Sequence, residues 1–135
     1  MKTTRIAALG DSITKGVVLN DQNRYSAAEQ SFLDIISNEL DLRIDNYGKF
    51  GCTVRYGKSV IERHATDIAD SDYTFIEYGG NDCDFDWMKI AQDPHGEHKA
   101  RTPLEEFTEE LTSLVAKIRE LGSVPVLITD RKSVV

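Results

Sequence analysis

Three positions in this 135-residue chain each follow a short apolar segment and carry a group that acyl-transfer chemistry uses. Ser12 supplies a hydroxyl that becomes a nucleophile when a base takes its proton. Gly48 offers a backbone N–H with no side chain in the way, and Asn81 offers a carboxamide donor. One backbone donor and one amide donor are the components of an oxyanion hole. Taken singly, each residue also fits a structural role, as a helix N-cap for Ser12 and as turn or cap residues for the other two.

The segments between these positions predict an alternation of strands and helices. Apolar and β-branched runs predict strands at 4–9, 42–47, 73–78 and 124–129. Apolar residues at helical spacing predict helices at 26–41, 57–69 and 102–121, the last opened by a capping box of Thr102 and Glu105. The polar segment 81–102 is predicted to be a long functional loop. Alternation of this kind is typical of an α/β domain with a parallel sheet and right-handed crossovers.

In such a sheet, ligands bind at the edge where the carboxyl ends of the strands meet. Three of the four predicted strands end directly before the segments that hold Ser12, Gly48 and Asn81. We therefore expect the Ser12 hydroxyl, the Gly48 amide and the Asn81 side chain to face one small cleft. Further candidates for the lining of this pocket are Asp11, Asp82, Phe85 and Trp87. The two aromatic residues fit an apolar wall for the acyl or leaving group, and they fit equally well the small core of a loop.

The motifs around these residues resemble the SGNH hydrolase family, also called the GDSL type. Its first motif is matched by residues 10–14 (Gly-Asp-Ser-Ile-Thr), its second by 46–51 (Asn-Tyr-Gly-Lys-Phe-Gly) and its third by 79–82 (Gly-Gly-Asn-Asp). The order, the spacing and the position of each motif after a strand make the set specific. The resemblance implies a flavodoxin-like three-layer fold with strand order 2-1-3-4-5. It also implies that Ser12 is the nucleophile and that Gly48 and Asn81 join the Ser12 amide in the oxyanion hole.

The activity implied by the resemblance is the hydrolysis of small acyl esters, such as acetylated carbohydrates, through an acyl-enzyme. No metal or other cofactor is implied. The alternative is a non-catalytic binding module that uses the same pocket for an anion or a sugar. A flavin or nucleotide domain is disfavoured, because the segment after the first strand has neither a Gly-x-Gly-x-x-Gly nor a P-loop pattern.

The chain departs from the family pattern in its histidines. The last motif of the family, Asp-x-x-His, supplies the base and its orienting acid, and this sequence contains no such pair. Its three histidines are His64, in a predicted helix, and His95 and His98, in the loop after Asn81. We expect neither loop histidine to act as the base. The chain on its own is therefore expected to be inactive or weakly active, since a serine without a base is a poor nucleophile.

The carboxyl-terminal segment leads to a further expectation. We expect residues 1–135 to be a single domain that lacks a fifth strand and a last helix. Residues 130–135 (Asp-Arg-Lys-Ser-Val-Val) match a translated sequencing adapter and are expected to be a non-native tail, the alternative being a natural polar tail. Without a fifth strand, the apolar strand 124–129 becomes an exposed edge, and such edges pair between molecules. We therefore expect self-association through this strand.

Composition disfavours several other classes of protein. The chain has 16 basic and 23 acidic residues and a net charge of −7, which argues against a nucleic-acid or anionic-membrane partner. Neither a membrane helix, which needs about 20 apolar residues, nor a signal peptide is evident, so we expect a cytoplasmic protein that acts on a small-molecule ester. The cysteines, Cys52 and Cys83, are expected to stay reduced. The Asp-rich run 82–86 and His95-x-x-His98 lack the further ligands of a calcium or zinc site, so no metal is expected.

Overall fold

The computed structural model describes residues 2–129. In chain order its elements are β1 (Arg5–Gly10), α1 (Ser12–Lys15), β2 (Val17–Leu19), β3 (Tyr25–Ala27), α2 (Phe32–Leu40), β4 (Arg43–Asn46), α3 (Val54–Arg63), α4 (Ala65–Ala69), β5 (Tyr73–Glu77), α5 (Trp87–Gln92), α6 (Leu104–Glu120) and β6 (Val124–Leu127). Within these residues no helix is long and apolar enough to cross a membrane. Residues 130–135, expected to be a non-native tail, lie outside the described residues.

Four of the strands form a parallel sheet in the order β4-β1-β5-β6. Counting only these strands along the chain, this is the order 2-1-3-4 that the resemblance implies, so the predicted flavodoxin-like α/β fold is confirmed. Strand β1 lies between β4 and β5, with Ala7 opposite both Asp45 and Thr74. Residues 6–10 of β1 are all buried, as expected for a central strand with helices on both faces.

The main core lies between the sheet and helices α3 and α6, which pack against each other. Its fully buried members include Leu9 of β1, Ile76 of β5 and Leu114 and Ile118 of α6. On β4, the contacting helix is α2, whose Leu33 is 1% exposed. These contacts fix the strands whose carboxyl ends carry the candidate site.

Two of the predicted helices begin at other residues. The helix expected from residue 26 begins at Phe32, because Ser31 and Asp34 form a capping box there, and residues 17–27 form the antiparallel pair β2-β3 instead. The helix expected at 57–69 begins at Val54 and breaks at His64 into α3 and α4. The predicted loop 81–102 contains one short helix, α5.

The predicted capping box at the start of α6 is wrong. Pro103 occupies the N-cap position with an extended backbone, and it makes no side-chain capping bond. The hydroxyl of Thr102 is buried and has no hydrogen-bond partner among the described residues. The helix begins at Leu104, one residue later than the predicted capping box requires, so Thr102 precedes the N-cap position and its hydroxyl does not cap the helix.

Strand β6 is an outer strand of the sheet as described over residues 2–129 and pairs with β5. Val124 and Leu127 are each 52% exposed along this edge. Self-association through strand 124–129 stays a prediction. We expect it because an unpaired apolar edge is a template for a second strand. Sedimentation at increasing concentration is expected to show a growing dimer fraction, and a monomer at all concentrations would contradict it.

Candidate active site

Ser12 lies at the carboxyl end of the central strand, as the first residue of the short helix α1. The turn that carries it is fixed by Asp11, whose Oδ1 accepts a hydrogen bond from the Ile13 N–H at 2.9 Å. Asp11 is 3% exposed and Ser12 is half-buried. Asp11, predicted to line the pocket, therefore acts as the cap of the turn that holds Ser12.

Gly48 follows β4, which is paired with β1, and packs directly against α1. A Cβ atom at Gly48 would lie 2.5 Å from the Lys15 nitrogen and 2.9 Å from the Thr14 carbonyl carbon. Glycine is required here because only a residue without a side chain allows two backbones to approach so closely. The neighbouring Lys49 N–H donates to the Gly10 carbonyl at 3.0 Å, so the segments 10–15 and 46–49 are in direct contact.

Asn46 joins the same two segments through its carboxamide. Its Nδ2 donates to the Thr14 carbonyl at 2.7 Å, and its Oδ1 accepts from the Gly48 N–H at 2.9 Å. The Gly48 N–H, expected to be an oxyanion donor, is thus bonded to Asn46. It can donate to a substrate oxygen only when the bond to Asn46 breaks or when the hydrogen is shared between the two acceptors. Asn46 belongs to the second sequence motif, but its role in joining these two segments was not predicted. The signal was available, since asparagine often bonds the backbone two residues on.

Asn81 and Asp82 follow β5 on the other side of β1. The Nδ2 of Asn81 donates to the Cys52 carbonyl at 2.9 Å, and a carboxamide nitrogen carries a second N–H that can serve a substrate oxygen. Asp82 is 2% exposed, and both of its oxygens accept from the Val54 N–H at 3.1 Å. Asp82 therefore caps the start of α3 from a distant loop. Burial raises the pKa of the nearby Cys52 thiol, which keeps it protonated.

The two aromatic candidates have different surroundings. Phe85 lines an apolar cavity of 350 Å³ together with Gly79, Cys83, Phe107 and the predicted pocket residue Asp82. Trp87 is 64% exposed, and its Nε1 donates to Asp84 at 3.0 Å. The two rings remain in contact, with centroids 6.0 Å apart. Phe85 is therefore placed to line a pocket, whereas Trp87 packs on its outer side.

The three histidines of the sequence are all described, and none of them hydrogen-bonds Ser12 within residues 2–129. His64 stacks on the ring of Tyr47 at a centroid distance of 3.9 Å. His98 is 2.6 Å from the Asp93 carbonyl through its Nε2, and His95 is exposed. The expectation that neither loop histidine is the base stays a prediction.

Below Ser12, a buried hydrogen bond ties α1 to β5. The Thr14 hydroxyl donates to Glu77 Oε1 at 3.1 Å, and both residues are 2% exposed. Replacing Thr14 with valine keeps the shape and removes the donor, so we expect Thr14→Val to lower the free energy of unfolding by about 1.5–3 kcal/mol. Thr14→Ser keeps the hydroxyl and is expected to lose less. Urea unfolding compares the variants, and equal losses for both would contradict this account.

The requirement for glycine at position 48 can also be tested. The Cβ of Gly48→Ala would collide with the backbone of Thr14 and Lys15, so we expect a loss of about 1–3 kcal/mol in the free energy of unfolding. The amide NMR signals of residues 12–15 are expected to move with it. Gly51→Ala is the control for the NMR signals: a Cβ there meets no atom within 4 Å, and the φ of +72° strains alanine, so we expect it to lose stability without moving the signals of residues 12–15. Unchanged signals for residues 12–15 in Gly48→Ala would show that the contact is not tight.

The comparisons with known proteins agree with this architecture. The GDSL-like Lipase/Acylhydrolase family matches residues 6–133, and the chain belongs to this family of esterase- and lipase-type hydrolases. A lipase/acylhydrolase from Enterococcus faecalis is similar in fold, with a TM-score of 0.68 and 20% identity over 97% of this chain and 60% of that one. No curated protein matches the sequence.

Two further solved structures share the fold. A G-D-S-L family lipolytic protein from Desulfitobacterium hafniense has a TM-score of 0.61 and 21% identity over 93% of this chain and 58% of its own. A single-residue variant of an acetyl xylan esterase from Geobacillus stearothermophilus has a TM-score of 0.62 and 24% identity, covering 96% and 61%. The chain thus spans between 58% and 61% of the length of these three structures.

Proposed function

We propose that Ser12 is the nucleophile of an esterase that hydrolyses small acyl esters through an acyl-enzyme. The observation that carries the proposal is the position of Ser12 on a capped turn, between the segments of Gly48 and Asn81 at the carboxyl edge of the sheet. Family membership supports the reaction class. A small-molecule ester is the substrate, and no metal or other cofactor takes part in the proposed steps.

The proposed reaction proceeds in two stages. The Ser12 Oγ attacks the ester carbonyl carbon while its proton passes to a base. The oxyanion that forms accepts hydrogen bonds from the Ser12 N–H, the second N–H of Asn81 and the Gly48 N–H once Asn46 releases it. Collapse expels the alcohol, which takes the proton from the base. Water then attacks the acyl-enzyme, and the acid leaves as the Ser12 hydroxyl is restored.

The base in this proposal is an Asp-x-x-His pair of the kind that the family resemblance implies. The 135 residues contain no such pair, and their histidines have other neighbours. We therefore assign little or no turnover to the chain by itself. An acetyl xylan esterase among the structural neighbours supports acetylated carbohydrates as one substrate class.

The second candidate function is a binding module that uses the same pocket without catalysis. It is favoured by the engaged Gly48 N–H and by the lack of a hydrogen bond between Ser12 and a histidine within residues 2–129. In that case, Ser12 and Asn81 would hold a polar ligand, and Ser12 would keep its ordinary reactivity.

A fluorophosphonate probe separates the two functions, because it modifies serines that are activated as nucleophiles. The protein tested is this chain extended by a relative's Asp-x-x-His segment, with a cooperative melt as the criterion of folding. We expect one adduct, on Ser12, and none in the Ser12→Ala variant. A folded extended protein that gains no adduct would support the binding module instead.

A further inference from the structure

A small cavity beside Gly48 gathers positive charge. It has a volume of 260 Å³, and its cationic lining residues are Lys15, Lys49 and Arg63. Tyr47, Gly48, Tyr56, Val60 and His64 complete the lining. Among residues 2–129, no acidic side chain lines it. In a protein of net charge −7, this local concentration of three cations is an exception to the overall charge.

The three cations have no carboxylate partner among residues 2–129. Other basic residues do find one: Arg5 Nε lies 2.9 Å from Asp45, and Arg55 Nε lies 2.6 Å from Glu106. Like charges that share a cavity repel each other, and an anion placed between them removes that cost. An unmatched positive cavity on an acidic protein also concentrates anions at this point of its surface.

Tyr56 adds a donor to the cavity. Its phenol oxygen accepts hydrogen bonds from Lys49 Nζ, at 3.4 Å, and from Arg63 Nη2. Both cations also lie over its ring, Lys49 Nζ at 4.7 Å and Arg63 Cζ at 5.2 Å from the centroid. Since the oxygen already accepts twice, the O–H is left to donate to a further group. The Arg63 and Lys49 contacts lower the pKa of this phenol, which strengthens it as a donor.

The second tyrosine of the cavity is committed elsewhere. The Tyr47 hydroxyl donates to Asp67 Oδ2 at 3.0 Å, and burial followed by this hydrogen bond raises the pKa of Tyr47 to about 12. It contributes a ring, stacked on His64, as one wall. The donors available in the cavity are therefore the ammonium groups, the guanidinium and the Tyr56 hydroxyl. This is a complement for oxygen atoms that carry negative charge.

We propose that this cavity binds an oxyanionic group, a carboxylate or phosphate, carried by the ester substrate. The proposal rests on the proposed esterase function, because Gly48 lines the cavity and packs against the turn of Ser12. An ester that extends from Ser12 past Gly48 would place its charged group in this cavity. The volume is below the roughly 300–1,000 Å³ of pockets that enclose whole drug-sized ligands, so it suits one charged group of a larger substrate.

Inorganic phosphate is the first probe, titrated into the 135-residue chain at constant ionic strength and followed by amide NMR. We expect saturable shifts of Gly48, Lys49, Tyr56 and His64 that fit a single isotherm. Lys49→Gln and Arg63→Gln are each expected to weaken binding about tenfold, the effect of losing one charge-assisted hydrogen bond. Arg63→Lys is expected to retain more of the affinity than Arg63→Gln.

The matched control is Lys58→Gln, which makes the same charge change at an exposed position of α3 outside the cavity. It is expected to leave the affinity within about twofold, since Lys58 does not line the cavity and cannot donate to an anion bound there. An equal loss of phosphate affinity in Lys58→Gln would show that the effect comes from net charge alone, and it would overturn the proposed binding site. Non-saturating shifts in the parent chain would overturn it as well.

A second titration distinguishes a free anion from an anionic ester. It uses para-acetoxybenzoate and its uncharged methyl ester with the Ser12→Ala variant, which cannot consume them through Ser12. We expect the charged ester to bind about tenfold more tightly and to shift both the cavity amides and those of residues 10–12 and 79–81. Shifts confined to the cavity amides would show that the cavity binds free anions. That result would overturn the proposal that it binds part of the ester substrate. This titration measures binding and not turnover, so its result can be interpreted even if the proposed esterase activity is wrong.

Discussion

Extension of this chain by an Asp-x-x-His segment is expected to raise its rate of hydrolysis of para-nitrophenyl acetate by about 10³-fold or more. The reason is the proton on Ser12. Without a base the hydroxyl is a poor nucleophile, and the oxyanion donors alone give a small acceleration. Initial rates of nitrophenol release, measured for the 135-residue chain and the extended form at equal concentration, check this result.

The control for this gain is Ser12→Ala in the extended form, which is expected to return the rate to that of the short chain. Robust hydrolysis by the short chain would contradict the assignment of the base. If that activity disappeared in His95→Ala or His98→Ala, the base would lie in the loop after Asn81.

Asn81→Ala in the extended form is expected to lower kcat by about 10²–10³-fold, with a much smaller change in KM. Asn81 is proposed to bond the oxyanion, which exists in the transition state and not in the bound ester. One of its two N–H groups goes to the Cys52 carbonyl, and the other remains for this role. Steady-state kinetics with a short-chain aryl ester provide both constants.

Two controls accompany the Asn81 variant. Asn38→Ala removes an exposed carboxamide from α2 and is expected to leave kcat unchanged. A melting curve reports how much stability is lost with the bond to Cys52. An unchanged kcat in a folded Asn81→Ala protein would remove Asn81 from the oxyanion hole.

The positions of the parallel strands could be predicted because their signals are local, whereas their order was implied by the family resemblance. Apolar runs that stop at glycine or asparagine mark the strands, and the handedness of the crossovers limits how they pair. The placement of the segments of Ser12, Gly48 and Asn81 at one edge then follows from topology. The pair β2-β3 escaped prediction, because three-residue strands with mostly exposed side chains have no clear apolar period.

Which donors are already engaged could not be predicted, because this depends on contacts between distant segments. Asp82 borders the cavity of Phe85, but its carboxylate is engaged by the Val54 N–H, 28 positions away, and the sequence does not show this partner. The cationic cavity is a similar case. Lys15, Lys49 and Arg63 are isolated surface cations in the sequence, and the packing of α1, the 48–51 segment and α3 brings them together.

The central claim is that hydrolysis passes through an acyl group on Ser12. The direct test is the mass of the tryptic peptide Ile6–Lys15, which contains one serine, after the extended form is mixed with para-nitrophenyl acetate and quenched in acid. We predict an acetyl group on Ser12 at early times, absent in Ser12→Ala. Turnover that continues with this peptide unmodified, and that survives Ser12→Ala, would contradict the account.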